Sequence, residues 1–143
     1  MEAITRQYQD LDPDGLASIR EFIETSATQL GANEDQAGEL VMAVHEATAN
    51  IVTHGYKESP SWISISISKE PGQLVVRLLD RSPPFDPTQM PPFDITLPLE
   101  ERPYGGMGVH MMRSFSDEIR YRTLPLGENE LTIIKRISNG TGS

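Results

Sequence analysis

The chain has 143 residues, 37% of them hydrophobic, which is enough for one core of ordinary size and too little for a second. It contains no cysteine, which excludes disulfides, thiolate metal sites and a cysteine nucleophile. Twelve Lys and Arg against 21 Asp and Glu give a formal net charge of -9, a field that repels phosphate backbones and argues against direct nucleic-acid binding, while a nucleotide needs only a local positive site.

The start, Met1-Glu-Ala-Ile-Thr-Arg, lacks a basic stretch followed by an apolar one, and no apolar run approaches the roughly 20 residues that span a bilayer. A cytoplasmic protein without membrane contact is expected. Ala3 to Gln9 is predicted as a short strand, and Leu11-Asp12-Pro13-Asp14 as a turn into a helix, because the fixed φ of proline suits a helix start. Leu16, Ile19, Phe22, Ile23 and Leu30 recur near helical spacing until Gly31 stops the run. Asn33 suits the cap of a second helix from about Glu34 to about His54, with Glu34, Asp35 and Glu39 toward its positive end.

Trp62, Ile63, Ile65 and Ile67 alternate with Ser64, Ser66 and Ser68, the period of a half-buried strand, and Pro71-Gly72 turns the chain. Leu74 to Leu79 is a more continuous apolar run, broken only by Arg77, hence an inner strand, ending at Asp80. Seven prolines and little periodicity from Ser82 to Pro103 predict a long irregular loop, and such loops inside compact chains are commonly functional. Beyond Gly105-Gly106-Met107-Gly108, the residues Val109, Met111, Met112 and Phe115 suit a helix. Ile119 to Arg122 and Leu131 to Ile137 then form two closing strands, and the tail 138–143 is expected to fray. The order predicts a single α/β domain: a two-layer sandwich with a largely antiparallel, mixed sheet and helices on one face.

Three segments can carry chemistry. On the second helix, Leu40, Val44, Ala47 and Ile51 form an apolar stripe, and Glu39, Glu46, Asn50 and Thr53 form another stripe away from it. Glu46 and Asn50 are one turn apart on one face. A carboxylate there can take a proton and an amide oxygen can ligate a hard cation, with small Ala43, Ala47 and Ala49 leaving room for a ligand. Such a pair on an exposed helix can equally be solvated surface. Gly105, Gly106 and Gly108 precede a helix, so their amides can cradle phosphate at its positive end or simply form a hinge. Asp80 can accept from an exocyclic amine with Phe85 against the ring, or serve as turn chemistry at a strand end.

Together the order Glu46-Ala-Thr-Ala-Asn50-Ile-Val-Thr-His54-Gly-Tyr56, then Asp80-Arg-Ser-Pro-Pro-Phe-Asp-Pro87, then Gly105-Gly-Met-Gly-Val-His-Met-Met112 resembles the N, G1 and G2 boxes of the GHKL (Bergerat) ATPases, and within them the anti-sigma factor serine kinases. The resemblance implies that Glu46 is the general base, that Asn50 holds Mg²⁺, and that Asp80 reads the adenine amine of ATP. It also implies that the backbone of Gly105, Gly106 and Gly108 meets the phosphates. Glu101-Arg102 is similar to an acidic-basic pair that contacts phosphate and partner, which makes Arg102 catalytic. His54, Met107 and Val109 join the nucleotide contacts, and the segment 82–104 is the ATP lid. The implied partners are a STAS-domain anti-anti-sigma protein, which would be phosphorylated on serine, and a sigma factor, which would be sequestered. The family commonly forms homodimers.

One departure stands out. The family usually has glycine two residues after the G1 aspartate, whereas this chain has Ser82 followed by Pro83 and Pro84. A non-glycine residue at positive φ costs about 1 kcal/mol, so weaker nucleotide binding or a reshaped lid is expected. On that ground the competing reading is a protein-interaction module without kinase activity. The ATPase half of a sensor histidine kinase fits less well, since no dimerisation helix with a phosphoacceptor histidine precedes the motifs.

Overall fold

Two polar caps start the long helices. Asp12, in extended backbone, accepts from the Gly15 N–H through Oδ1 at 2.8 Å, and Pro13 opens helix α1 (Pro13–Gln29). Asn33 accepts from the Gln36 N–H at 2.8 Å, and the Gln36 side chain accepts from the Asn33 N–H at 2.9 Å. This reciprocal box satisfies two N–H groups that the first turn of α2 (Glu34–Asn50) leaves without helical partners. Between the helices Gly31 takes φ 109°, a left-handed turn that glycine enters without penalty.

The computed structural model describes residues 3–52, 61–83, 86–89 and 106–137, with side chains except at 13, 89 and 106–109. Strands β1 (Ala3–Gln9), β2 (Trp62–Glu70), β3 (Gln73–Asp80), β4 (Glu118–Thr123) and β5 (Asn129–Arg136) form one sheet in the order β1-β2-β3-β5-β4. All four pairings are antiparallel, so the parallel component of a mixed sheet is not used among the described strands. Helix α3 (Gly106–Ser114) precedes β4.

The period-2 pattern decides which sheet face is covered. Ile63, Ile65 and Ile67 of β2, Leu74, Val76 and Leu78 of β3, and Ile133 of β5 are each 0% exposed and pack with Ile19 and Ile23 of α1, Leu40 and Val44 of α2, and Met112 of α3. The serines of β2 alternate to the other face. Helices on one face of an antiparallel sheet are thus what the patterning predicts and what the fold shows.

Two details differ from the sequence reading. The α-helical part of α2 stops at Asn50, and the chain widens into a π-type turn at Ile51 and Val52; the remainder to His54 lies outside the described residues. Glu39, expected on the polar stripe with Glu46 and Asn50, instead accepts from Lys135 Nζ of β5 at 3.0 Å. The Lys135 ammonium also donates to the Phe115 carbonyl at 3.4 Å and lies 3.9 Å from the Asp117 carboxylate. A nearly buried cation needs such partners, so Glu39 serves the fold. Of the proline-rich loop, Pro87–Gln89 forms one 3-10 turn, and Arg113 of α3 donates to the Pro87 carbonyl at 2.7 Å. No helix among the described residues is long and apolar enough to cross a membrane.

Candidate functional site

Asn50 closes α2 and Asp80 closes β3, and the fold brings these two ends together. Both line a small cavity of about 30 Å³, with Ala47 of α2, Ile51 just beyond it, Pro87, Met112 of α3, Tyr121 of β4 and Leu131 of β5. Its walls are apolar, apart from an acidic acceptor, an amide and a phenol. At this volume it admits about one water molecule, so it marks where the ends of α2 and β3 meet and has to widen before it can take a ring. Ala47 belongs to this wall, whereas Ala43, expected to clear space for a ligand, is 0% exposed within the core.

Asp80 is 3% exposed and its carboxylate is held on one side. Oδ1 accepts from the Ser82 N–H at 2.9 Å, from the Ser82 hydroxyl at 2.5 Å and from Asn129 Nδ2 at 3.0 Å. Among the described residues no hydrogen bond falls on Oδ2. The buried charge is stabilised by three donors and keeps one oxygen for a further donor.

Ser82 corrects the expectation of strain. Its φ is not positive; among the described residues the one non-glycine at positive φ is Asp10. The serine needs no left-handed backbone because its own hydroxyl and amide close a turn onto Asp80, and the Asn129 amide binds its carbonyl at 2.8 Å. Ser82→Gly therefore relieves nothing and deletes one charge-assisted hydrogen bond. Calorimetry should show nucleotide affinity unchanged or a few fold weaker in that variant, and clear tightening would restore the strain argument.

Glu46 and Asn50 are both half-buried on α2, and neither makes a hydrogen bond or ion pair among the described residues. Asn50 lines the cavity; Glu46, one turn earlier, does not. Gly106, Met107 and Gly108 form the first turn of α3, with Val109 next. The glycines thus begin the helix rather than merely precede it, and first-turn N–H groups have no partner within their own helix. His54, Phe85, Arg102 and Gly105 lie outside the described residues, as does most of the proposed lid. A wider groove of about 780 Å³ between α1 and α2 shares no residue with this cavity and is rimmed by Glu24, Glu34, Asp35 and Glu39, charges that repel phosphate.

Residues 10–135 match the family model of the histidine kinase-like ATPase domain. The chain belongs to the histidine kinase-like ATPase family. It is 29% identical over 109 residues to the serine-protein kinase RsbW of Bacillus cereus (strain AH820), covering 73% of this chain and 68% of that one. The same identity and coverage hold for the serine-protein kinases RsbW of Bacillus anthracis and Bacillus thuringiensis (strain Al Hakam). Within the histidine kinase-like ATPases the similarity is thus to serine-protein kinases, and membership implies ATP binding.

For a histidine kinase-like ATPase, the described contacts also bring in residues that sequence reading did not single out. Tyr121, Asn129, Met112 and Leu131 surround Asp80 or its cavity. Asn129 carried one faint signal, a polar residue opening an apolar strand. Its meaning depends on facing Asp80 across the β3–β5 ladder.

Proposed function

We propose that the protein is a cytoplasmic, single-domain anti-sigma factor with protein serine kinase activity. It binds Mg²⁺-ATP, phosphorylates a serine of a STAS-type anti-anti-sigma partner, sequesters a sigma factor, and works as a homodimer. The observation that carries this reading is the convergence of Asp80 and Asn50 on one apolar cavity in a chain similar to serine-protein kinases.

The lining suits an adenine ring in chemistry, and the cavity would widen to admit one: an acidic oxygen for the exocyclic amine, and Ala47, Ile51, Met112 and Leu131 as apolar walls. ATP supplies the phosphoryl group. Asn50 would hold Mg²⁺ through its amide oxygen, and the bound cation would neutralise charge on the phosphates. The backbone of Gly105, Gly106 and Gly108 holds the phosphates at the positive end of α3. Arg102 offsets charge on the transferring group, and His54, Phe85, Met107 and Val109 complete the contacts. Glu46 takes the proton of the acceptor serine as its Oγ bonds to phosphorus and the bond to the leaving oxygen breaks. Phosphoryl transfer asks for positioning and charge neutralisation more than covalent help. The segment 82–104 closes over the nucleotide as a lid. The competing non-catalytic reading rested on strain at Ser82, and the ordinary backbone there removes that ground.

Base preference tests the reading. Guanine presents a carbonyl where adenine presents an amine, so ATP should bind at least about 100-fold more tightly than GTP, the scale on which a buried acceptor rejects a second acceptor. In Asp80→Asn the three donors that meet Oδ1 hold the amide oxygen there and turn the NH₂ toward the cavity. This variant should lose ATP affinity and most of the preference. Equal binding of the two nucleotides by the unmutated protein would remove Asp80 from base recognition. Incubation with Mg²⁺-ATP and the antagonist encoded nearby, with serine phosphorylation as readout, tests the kinase step.

A further inference from the structure

The register of the sheet sets Asn129, the first residue of β5, directly opposite Asp80, the last of β3. Asn129 is 3% exposed and all its polar atoms are engaged. Nδ2 donates to Asp80 Oδ1 at 3.0 Å and to the Ser82 carbonyl at 2.8 Å, while Oδ1 accepts from the Tyr121 hydroxyl at 2.7 Å. The partners determine the orientation of the amide. A carboxylate and a carbonyl only accept, so the NH₂ must face them, and the phenol is the group able to donate to the oxygen.

We infer that Asn129, braced by Tyr121 and acting with Ser82, is a positioning residue that locks the rotation of the Asp80 carboxylate and thereby sets the base selectivity of the nucleotide site. The inference rests on the proposed reading of Asp80 as the adenine acceptor. A carboxylate with free torsion presents either oxygen, or both in compromise, to the cavity. Three donors on Oδ1 leave one arrangement, with Oδ2 available to an amine. Asn129 also ties the Ser82 carbonyl to β5, so the start of the 82–104 segment and the acceptor are positioned by one side chain. Preorganised acceptors of this kind discriminate between ligands because the wrong edge finds no adjustable partner. Tyr121 supports this arrangement from the opposite edge of the amide: without its hydroxyl the Asn129 oxygen loses its donor and the side chain is held less tightly against Asp80.

The test measures Mg²⁺-ATP and Mg²⁺-GTP affinity by calorimetry, together with melting temperature, for the full chain and for Asn129→Ala and Tyr121→Phe. A positioning role predicts that Asn129→Ala, which loses the bond to Asp80 together with the tie to the Ser82 carbonyl, weakens ATP about tenfold while GTP changes little, so the preference falls by about the same factor. Tyr121→Phe should shift the ratio in the same direction by a smaller factor. Because Tyr121 is half-buried and Phe keeps its ring, that variant decides the matter if Asn129→Ala fails to fold. A purely structural network would lower the melting temperature and weaken both nucleotides alike, leaving the ratio at the unmutated value, and that result in Asn129→Ala or in Tyr121→Phe overturns the inference. Loss of base preference already in the unmutated protein would instead overturn the reading of Asp80, and this inference with it.

Discussion

The Glu46→Gln protein should fold, bind Mg²⁺-ATP and its partner within a few fold of normal, and phosphorylate the antagonist serine about 100-fold more slowly or worse, the usual scale for a lost acid or base. The expectation follows from where Glu46 sits. It is half-buried on α2 one turn before Asn50, and no hydrogen bond or ion pair among the described residues engages its carboxylate. Replacing it with an isosteric amide removes the ability to accept a proton and costs no described interaction of the fold. A group that acts on the transferring step contributes to the transition state and little to ground-state binding. Single-turnover phosphorylation beside melting temperature separates the alternatives. A structural glutamate would give a less stable protein whose folded fraction turns over near the normal rate. A variant that folds, binds ATP and phosphorylates at the unmutated rate would take Glu46 out of the mechanism.

The second large effect is expected at Asn50, where substitution by alanine should abolish the Mg²⁺-dependent part of nucleotide binding. Asn50 lines the cavity with Asp80, and its amide is not used in any hydrogen bond among the described residues. The contrast with Asn129 is instructive, since that amide is fully spent on the protein itself. A side chain near the end of α2 with no hydrogen-bond partner among the described residues can be shortened without unfolding the helix, so melting temperature should stay close to normal. Calorimetry with and without Mg²⁺ is the measurement. In the unmutated protein the metal should tighten ATP strongly, and in Asn50→Ala the two titrations should coincide at the weak, metal-free affinity. Unchanged Mg²⁺-ATP affinity would show that the metal is held elsewhere.

Much of the molecule follows from short-range chemistry, and those parts are legible in the chain itself. Asp12 with Pro13, and Asn33 with Gln36, announce two helix starts because a cap is satisfied within three residues. The Ile and Ser alternation of β2 announces both a strand and its buried face, because side chains alternate every residue. Glu46 and Asn50 can be placed on one helix face from spacing alone. What the tertiary structure decides are contacts between residues far apart in sequence. Asn129 reaches Asp80 across 49 positions, and Lys135 reaches Glu39 across 96. Both depend on β5 lying between β3 and β4, a placement no local periodicity encodes. The same holds for Ser82: its composition suggested strain at a glycine position, but its φ is set by the hydrogen bonds it makes to Asp80 and accepts from Asn129. Local pattern determines which face of an element is apolar, whereas strand order and register determine which polar ends meet, and in this protein the candidate site is built where those ends meet.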